Sequence, residues 1–209
     1  MAVDKGRPQR SHDPVEMAST LDDGTRVVFR PITPADKERL QRGLQRLSPA
    51  SRYMRFFRHV DRFTDQELRY LTEVDMIDHV AWVAVLPDEE GRPGVGVARW
   101  IRMDEDPSLA EGAVTVIDDY QGRGIGSTLL YLAARSALER GVRAFRVYAK
   151  GDNHKVMDLL SDLGAIPGRW EGGVLELTVP LARSLEQLEQ SAPHMILKAV
   201  ARGELEDQA

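Results

Sequence analysis

The chain has no cysteine in its 209 residues. Disulfides, thiolate metal centres and a cysteine nucleophile are therefore excluded. No apolar run approaches the roughly 18 residues that a membrane-spanning helix requires. The opening stretch MAVDKGRPQRSHDP holds no apolar signal-peptide core. Positive charge is not in excess either: 28 Lys and Arg stand against 33 Asp and Glu, a net charge of −5, so nucleic acid is not an obvious partner. The five histidines show no metal-ligand spacing, and no metal is expected. What remains is 42% hydrophobic and 29% charged, the balance of a soluble globular chain long enough for one domain with short extensions. The expectation is a cytoplasmic protein without membrane or nucleic-acid partners.

Residues 1–22 are polar, carry Pro8 and Pro14, and have no hydrophobic period, which predicts a mobile arm. Residues 23–182 are patterned as one folded domain. Thr25 to Pro31 reads as a strand rich in β-branched residues. Thr33 caps a helix with Pro34 in its first turn, running to about Leu47 with a stripe of Leu40, Leu44 and Leu47. Ser48-Pro49 starts a second helix in which Tyr53, Met54, Phe56 and Phe57 alternate with Arg52, Arg55 and Arg58. That pattern is either a core face with solvated arginines or an aromatic and basic wall beside a ligand. Thr64 and Glu67 form a capping-box signature for a third helix. His79–Leu86 and Gly94–Met103 read as a hairpin, and Ala110–Ile117 as the next strand. A helix over 126–140 ends at Gly141; Ala144–Ala149 is a strand; Asn153–Leu163 is a helix ended by Gly164; a last hairpin spans 165–181. The fold class is α+β: a mixed, mostly antiparallel twisted sheet of about seven strands with flanking helices and a central β-α-β unit. Residues 183–209 form a separate C-terminal extension. Leu181, Leu185 and Leu188 make a stripe that needs cover, from the domain or from a second copy in a homodimer, and a further helix is expected over 195–205.

The most informative stretch is AEGAVTVIDDYQGRGIG, residues 110–126. A strand leads through Asp118, Asp119 and Tyr120 into a glycine-rich turn that opens a helix. Free N–H groups and the positive end of the helix dipole make such a turn an anion site. The dinucleotide fingerprint requires G-x-G-x-x-G, but Gly122, Gly124 and Gly126 are spaced G-x-G-x-G. A P-loop requires Gly-Lys-Ser/Thr, and here Ser127 and Thr128 follow Gly126 with no lysine. Alternating glycines let backbone N–H groups approach a pyrophosphate without obstruction by Cβ.

Gln121-x-x-Gly124-x-Gly126 between a strand and a helix resembles the acetyl-CoA motif of the GNAT (Gcn5-related N-acetyltransferase) superfamily. The element order over about residues 24–182 and Asn153 after the next strand fit the same fold. Three further stretches are similar to bacterial protein lysine acetyltransferases of the Pat type, which acetylate acyl-CoA synthetases. They are Arg30-Pro31-Ile32-x-Pro34-x-Asp36, Leu47-Ser48-Pro49-x-Ser51-Arg52-Tyr53-Met54-Arg55-Phe56-Phe57 and Leu71-Thr72-x-Val74-Asp75.

The resemblance implies that Gly122, Arg123, Gly124, Ile125, Gly126 and Ser127 hold the pyrophosphate of acetyl-CoA. It also implies that Val114, Thr115 and Val116 pair with the pantetheine arm, that Thr128 adds a hydroxyl contact, and that Gln121 and Asn153 complete the cofactor set. Arg123 offers its side chain to a phosphate or to solvent. Strand alternation puts Glu111, Ala113 and Thr115 on one face. From the residues alone Glu111 is either a solvated strand end or a base; in Pat-type enzymes a glutamate at this place is the general base. An acceptor amine starts near pKa ~10.4 and must lose a proton before attack. Many superfamily members carry a tyrosine acid where this chain has Leu160; Tyr148 and Tyr120 are the substitutes to weigh against plain packing. Asp118 and Asp119 read as turn residues. Trp170 and Glu171 either border the acceptor mouth or pack at an edge. The expected function is acetyl-CoA-dependent transfer to an amine, with a protein lysine as first choice. The alternatives are a small amine acceptor and a catalytically silent acyl-CoA-binding sensor.

Overall fold

In a computed structural model, residues 16–191 are described. Eight strands form one sheet in the order β1-β2-β3-β4-β5-β6-β8-β7. They are β1 (Met17–Thr20), β2 (Arg26–Pro31), β3 (His79–Val85), β4 (Gly94–Met103), β5 (Asp106–Val116), β6 (Ala144–Lys150), β7 (Ile166–Glu171) and β8 (Val174–Pro180). Neighbours are antiparallel except β5 and β6, which are parallel. The helices are α1 (Lys37–Arg46), α2 (Pro49–Phe56), α3 (Asp65–Thr72), α4 (Ile125–Leu138), α5 (His154–Asp162) and α6 (Leu181–Ser191).

The expected elements are present, with three differences. The eighth strand, β1, falls inside the segment expected to be an arm. Met17 and Ser19 alternate inward and are buried against the sheet, and β1 pairs with β2 from Met17↔Phe29 to Thr20↔Arg26. Four residues with one large apolar side chain carry too little pattern to announce a strand. The remainder of the arm lies outside the described residues. β5 begins at Asp106 rather than Ala110, so the turn before it is tighter than expected. Pro34–Asp36 form a 3-10 turn before α1 instead of its first α-helical turn.

That 3-10 turn is held by a buried carboxylate. Asp36, 1% exposed, accepts from Arg30 Nη2 at 2.7 Å, Arg39 Nη1 at 2.9 Å and the Thr33 backbone N–H at 2.8 Å. Burial alone would raise its pKa, but the Arg30 and Thr33 hydrogen bonds outweigh it and leave the group at about 2. One residue thus fixes β2 against α1.

The two sheet faces are covered differently. Helix α4 lies on the face carrying Val114, Val116, Ala98 and Trp100, and its buried Ile125, Leu129 and Ala133 join the main core there. Helix α6 packs on α4 through Leu181 and Leu188, so the domain itself covers the leucine stripe; the helix expected over 195–205 lies outside the described residues. Helices α1, α2 and α3 roof the opposite face, where Leu44, Leu47, Val60 and Phe63 form a second cluster.

Candidate active site

The site is built around a fork in the sheet. Strands β5 and β6 pair only from Leu109↔Ala144 to Glu111↔Arg146. Past Glu111, β5 stays with β4 as far as Val116↔Gly96, while β6 follows β8 to Lys150↔Val174. A V-shaped gap opens between residues 112–116 of β5 and 147–150 of β6. Alternate amides of β5 turn away from β4 into this gap, where they lack a strand partner. An extended ligand backbone can occupy such an edge as an added strand. The Phe145 ring lies against Gly112 where the ladder ends; a Cβ on Gly112 would come within 2.9 Å of that ring.

The glycine turn follows the far end of β5, beyond the last residues that pair with β6. Gly122 (φ 73°) and Gly124 (φ 82°) adopt left-handed backbone that other residues enter at a cost, and Gly124 is the N-cap of α4 with no side-chain capping bond. The first N–H groups of the 14-residue α4 therefore keep their donors for an external acceptor. Gly126 needs no left-handed backbone, and a Cβ there would meet only Val116 Cγ2 at 3.5 Å, ordinary contact. The fold does not demand glycine at 126, whereas close approach of an anion would.

The expected cofactor residues divide by what their side chains do. Gln121 Nε2 donates to the Val116 carbonyl at 3.0 Å, tying the turn to the strand end. Arg123 pairs with Asp23 at 2.8 Å and lies over the Tyr120 ring, so its side chain is engaged within the fold. Ile125 is buried in the core and offers only backbone. Thr128 is buried, and its hydroxyl donates to the Gly124 carbonyl at 3.1 Å, holding the turn from inside the helix. Ser127 is half-buried in the first turn of α4. Val114 and Val116 project toward α4, and Thr115 toward the α1–α3 side. Asn153 caps α5 just past β6, accepting from the Val156 N–H at 3.4 Å.

Glu111 marks the point of the fork. It is exposed and has no hydrogen bond or ion pair among the described residues. Helix α2 is anchored above its face by Asp118, which accepts from Ser48 N at 2.9 Å and Ser51 Oγ at 2.6 Å. Burial opposes ionisation of Asp118, but these hydrogen bonds hold its pKa below the usual carboxylate range. Asp118 is thus more than a turn residue: it docks one structural unit on another, a role visible only in three dimensions. Across the gap, Lys150 Nζ lies 4.8 Å from the centre of the Tyr53 ring of α2. Tyr148 is on Glu111's face of β6, 40% exposed, with its pKa raised by burial and by Glu176 and Glu111. Tyr120, in contrast, donates to Glu89 Oε1 at 3.1 Å and belongs to the packing of the second cluster. Leu160 is buried in the main core. Trp170 is exposed at the β7 edge, its ring lying over Gly151, where a Cβ would come within 2.2 Å.

Beneath α1, α2 and α3 lies a cleft open to solvent, walled by apolar side chains including Leu40, Phe56 and Val97, and reaching Thr115 of β5. Three arginines line it, Arg39 from α1, Arg55 from α2 and Arg99 from β4. Arg99 is 6% exposed; its guanidinium donates to the Leu71 carbonyl at 3.2 Å and faces His79 Nε2 at 3.1 Å. Burial, with Arg55 nearby, pulls its pKa down to about 10, and burial with Arg99 pulls His79 down to about 4, so at neutral pH this imidazole is an uncharged acceptor. Sequence reasoning left His79 unassigned because its partner is 20 residues away, on the neighbouring strand.

Comparison with known proteins agrees with this arrangement. The Acetyltransferase (GNAT) family profile matches residues 48–165. "Acetyltransferase Pat" of Mycolicibacterium smegmatis is 36% identical over 184 residues, 83% of this chain and 54% of that protein. The chain thus spans about half the length of this relative. An acetyltransferase of Pseudomonas aeruginosa is 32% identical over 150 residues, 72% of this chain and 80% of that protein. The solved GNAT domain of S. lividans PAT superposes with a TM-score of 0.70 at 32% identity, covering 79% of this chain and 96% of that structure. The fork, the glycine turn and these matches together establish that this chain belongs to the GNAT acetyltransferase family and is related to Pat.

Proposed function

We propose that this acetyltransferase uses acetyl-CoA to acetylate lysine side chains of protein acceptors, with Glu111 as general base. Acyl-CoA synthetases are the acceptor class implied by the resemblance to Pat-type enzymes. The observation that carries the proposal is a carboxylate with no hydrogen bond or ion pair among the described residues, at the apex of a strand fork whose other end is a helix N-terminus free of side-chain caps. In this reading the pyrophosphate meets the N–H groups of residues 122–127, and the pantetheine arm runs along the open edge of β5. The thioester then lies near Glu111. A lysine ammonium loses one proton to Glu111, directly or through water, and the neutral nitrogen attacks the acyl carbon. The carbon–sulfur bond breaks, and the second amine proton leaves with the thiol or to solvent. The residue matching the family's tyrosine acid, Leu160, is in the core, and Tyr148 is the tyrosine on Glu111's face.

The test incubates the chain and acetyl-CoA with a purified acyl-CoA synthetase and locates acetyl-lysine by mass spectrometry. Site-specific acetylation is expected. Glu111→Gln should retain acetyl-CoA binding while turnover falls by roughly 10² or more, the usual scale for a general base. Turnover equal to wild type across the pH range removes Glu111 from the mechanism.

A further inference from the structure

The cleft beneath α1–α3 carries more charge than packing requires. Four charged residues line it: Asp36, Arg39, Arg55 and Arg99. Three are satisfied within the fold. Asp36 and Arg39 pair at 2.9 Å, and Arg99 caps the C-terminal end of α3 through the Leu71 carbonyl. Arg55 is different. It is half-buried, and among the described residues it has no hydrogen bond and no ion pair at contact distance; its Cζ lies 5.2 Å from the centre of the Phe56 ring. A guanidinium carries five donors and is never discharged at physiological pH, so leaving it partly desolvated and unpaired is costly. Burial pulls its pKa below the ordinary value, and it lies within electrostatic range of Glu111. Glu111 and Thr115 share one face of β5, and Thr115 lines the cleft. Hence the apolar cleft and the Arg55 guanidinium lie on the proposed base's side of the sheet, with Arg55 within electrostatic range of Glu111.

We infer that the cleft is an acyl-chain pocket for thioesters longer than acetyl that end in a carboxylate, with Arg55 receiving that carboxylate. The inference rests on the acyl-CoA reading of the fork. The apolar walls suit methylene groups, and the planar fork of Arg55 suits a carboxylate bidentately. A four-carbon dicarboxylic half-thioester has this chemistry, with its thioester carbon near Glu111 and its free carboxylate on Arg55. The transfer step keeps the same balance: the amine nitrogen bonds to the acyl carbon, the carbon–sulfur bond breaks, CoA leaves as the thiol, and the net proton goes to solvent. The product is an amide ending in a carboxylate, which replaces the lysine's positive charge with a negative one.

The test is calorimetric titration of the full chain with butyryl-CoA and succinyl-CoA, which share chain length and differ in the terminal carboxylate. A charge-assisted bidentate contact predicts tighter binding of succinyl-CoA by roughly 10-fold or more. Arg55→Met should bring the succinyl-to-butyryl ratio to about one, and Arg55→Lys should keep part of the preference as a point charge without the fork. Circular dichroism checks that each variant is folded, and the wild-type ratio decides the matter if neither is. Equal binding of the two thioesters by wild type, or a preference that survives Arg55→Met, overturns the inference while leaving acetyl transfer intact. Failure of acetyl-CoA and both longer thioesters to bind would instead overturn the acyl-CoA reading itself.

Discussion

Replacing Gly126 by glutamate separates fold from function in one position. Gly126 lies in the first turn of α4 with ordinary backbone, and the only neighbour of an added Cβ is Val116 Cγ2 at 3.5 Å. Glutamate gains roughly 0.5 kcal/mol over glycine in helix propensity, and a first-turn carboxylate adds about 0.3–1 kcal/mol against the helix dipole. The variant should therefore be more stable by about 1 kcal/mol, a rise in melting temperature of roughly 2–4 °C for a chain of this size. Cofactor binding should move the opposite way. A carboxylate about 5 Å from a phosphate at an effective dielectric near 20 repels it by about 3 kcal/mol, more than 100-fold in affinity. Thermal melts give the first quantity and calorimetric titration with CoA the second. The repulsion should shrink as salt rises, because the site is open to solvent. A variant that melts higher yet binds CoA within about twofold of wild type would refute placement of the pyrophosphate at this turn. One that melts lower would refute the local steric reading of position 126.

Other expectations concern the frame that holds the site. Asp36→Ala strands Arg30 and Arg39 beside a vacated buried position and should cost about 3 kcal/mol in urea unfolding, the lower end for a broken buried pair; a loss under 1 kcal/mol would mean that the network is not structural. With a folded pKa of about 2, below the unfolded value, Asp36 contributes stability that is fully present above about pH 4. Roughly 2 kcal/mol should be lost as pH falls from 4 to 2, and acid titration of Asp36→Asn should lack that component. Gly112→Ala drives a methyl into the Phe145 ring and should cost about 1–3 kcal/mol, part of it recovered by Phe145→Leu in a double-mutant cycle. Asp118→Ala should unseat the start of α2, lowering kcat/KM with a smaller effect on CoA affinity; unchanged kinetics would separate α2 from the reaction.

The pattern of the chain was enough for most of the architecture. Capping signals at Ser48 and Thr64, glycine stops at Gly141 and Gly164, and β-branched or alternating runs are local features, and the structure keeps them because local geometry and tertiary packing agree. β1 escaped because its strand character comes from pairing with β2, not from its own four residues. The glycine run likewise marked the start of α4, with Gly124 as its N-cap.

Sequence alone determined that a strand carrying Glu111 runs into a glycine-rich turn and then a helix. Tertiary structure decided that this strand parts from its parallel neighbour at that same glutamate. The divergence depends on which strands β5 and β6 each pair with on their far sides, and no local pattern encodes such long-range partners. The same holds for Arg55. Its place in an aromatic and basic helix favoured a solvated role over a ligand-facing one; the packing of α2 over the sheet, fixed by Asp118, put the residue in the lining of a cleft with no hydrogen bond or ion pair among the described residues. Charge is written in the sequence, but whether a charge is paired is a property of the folded neighbourhood.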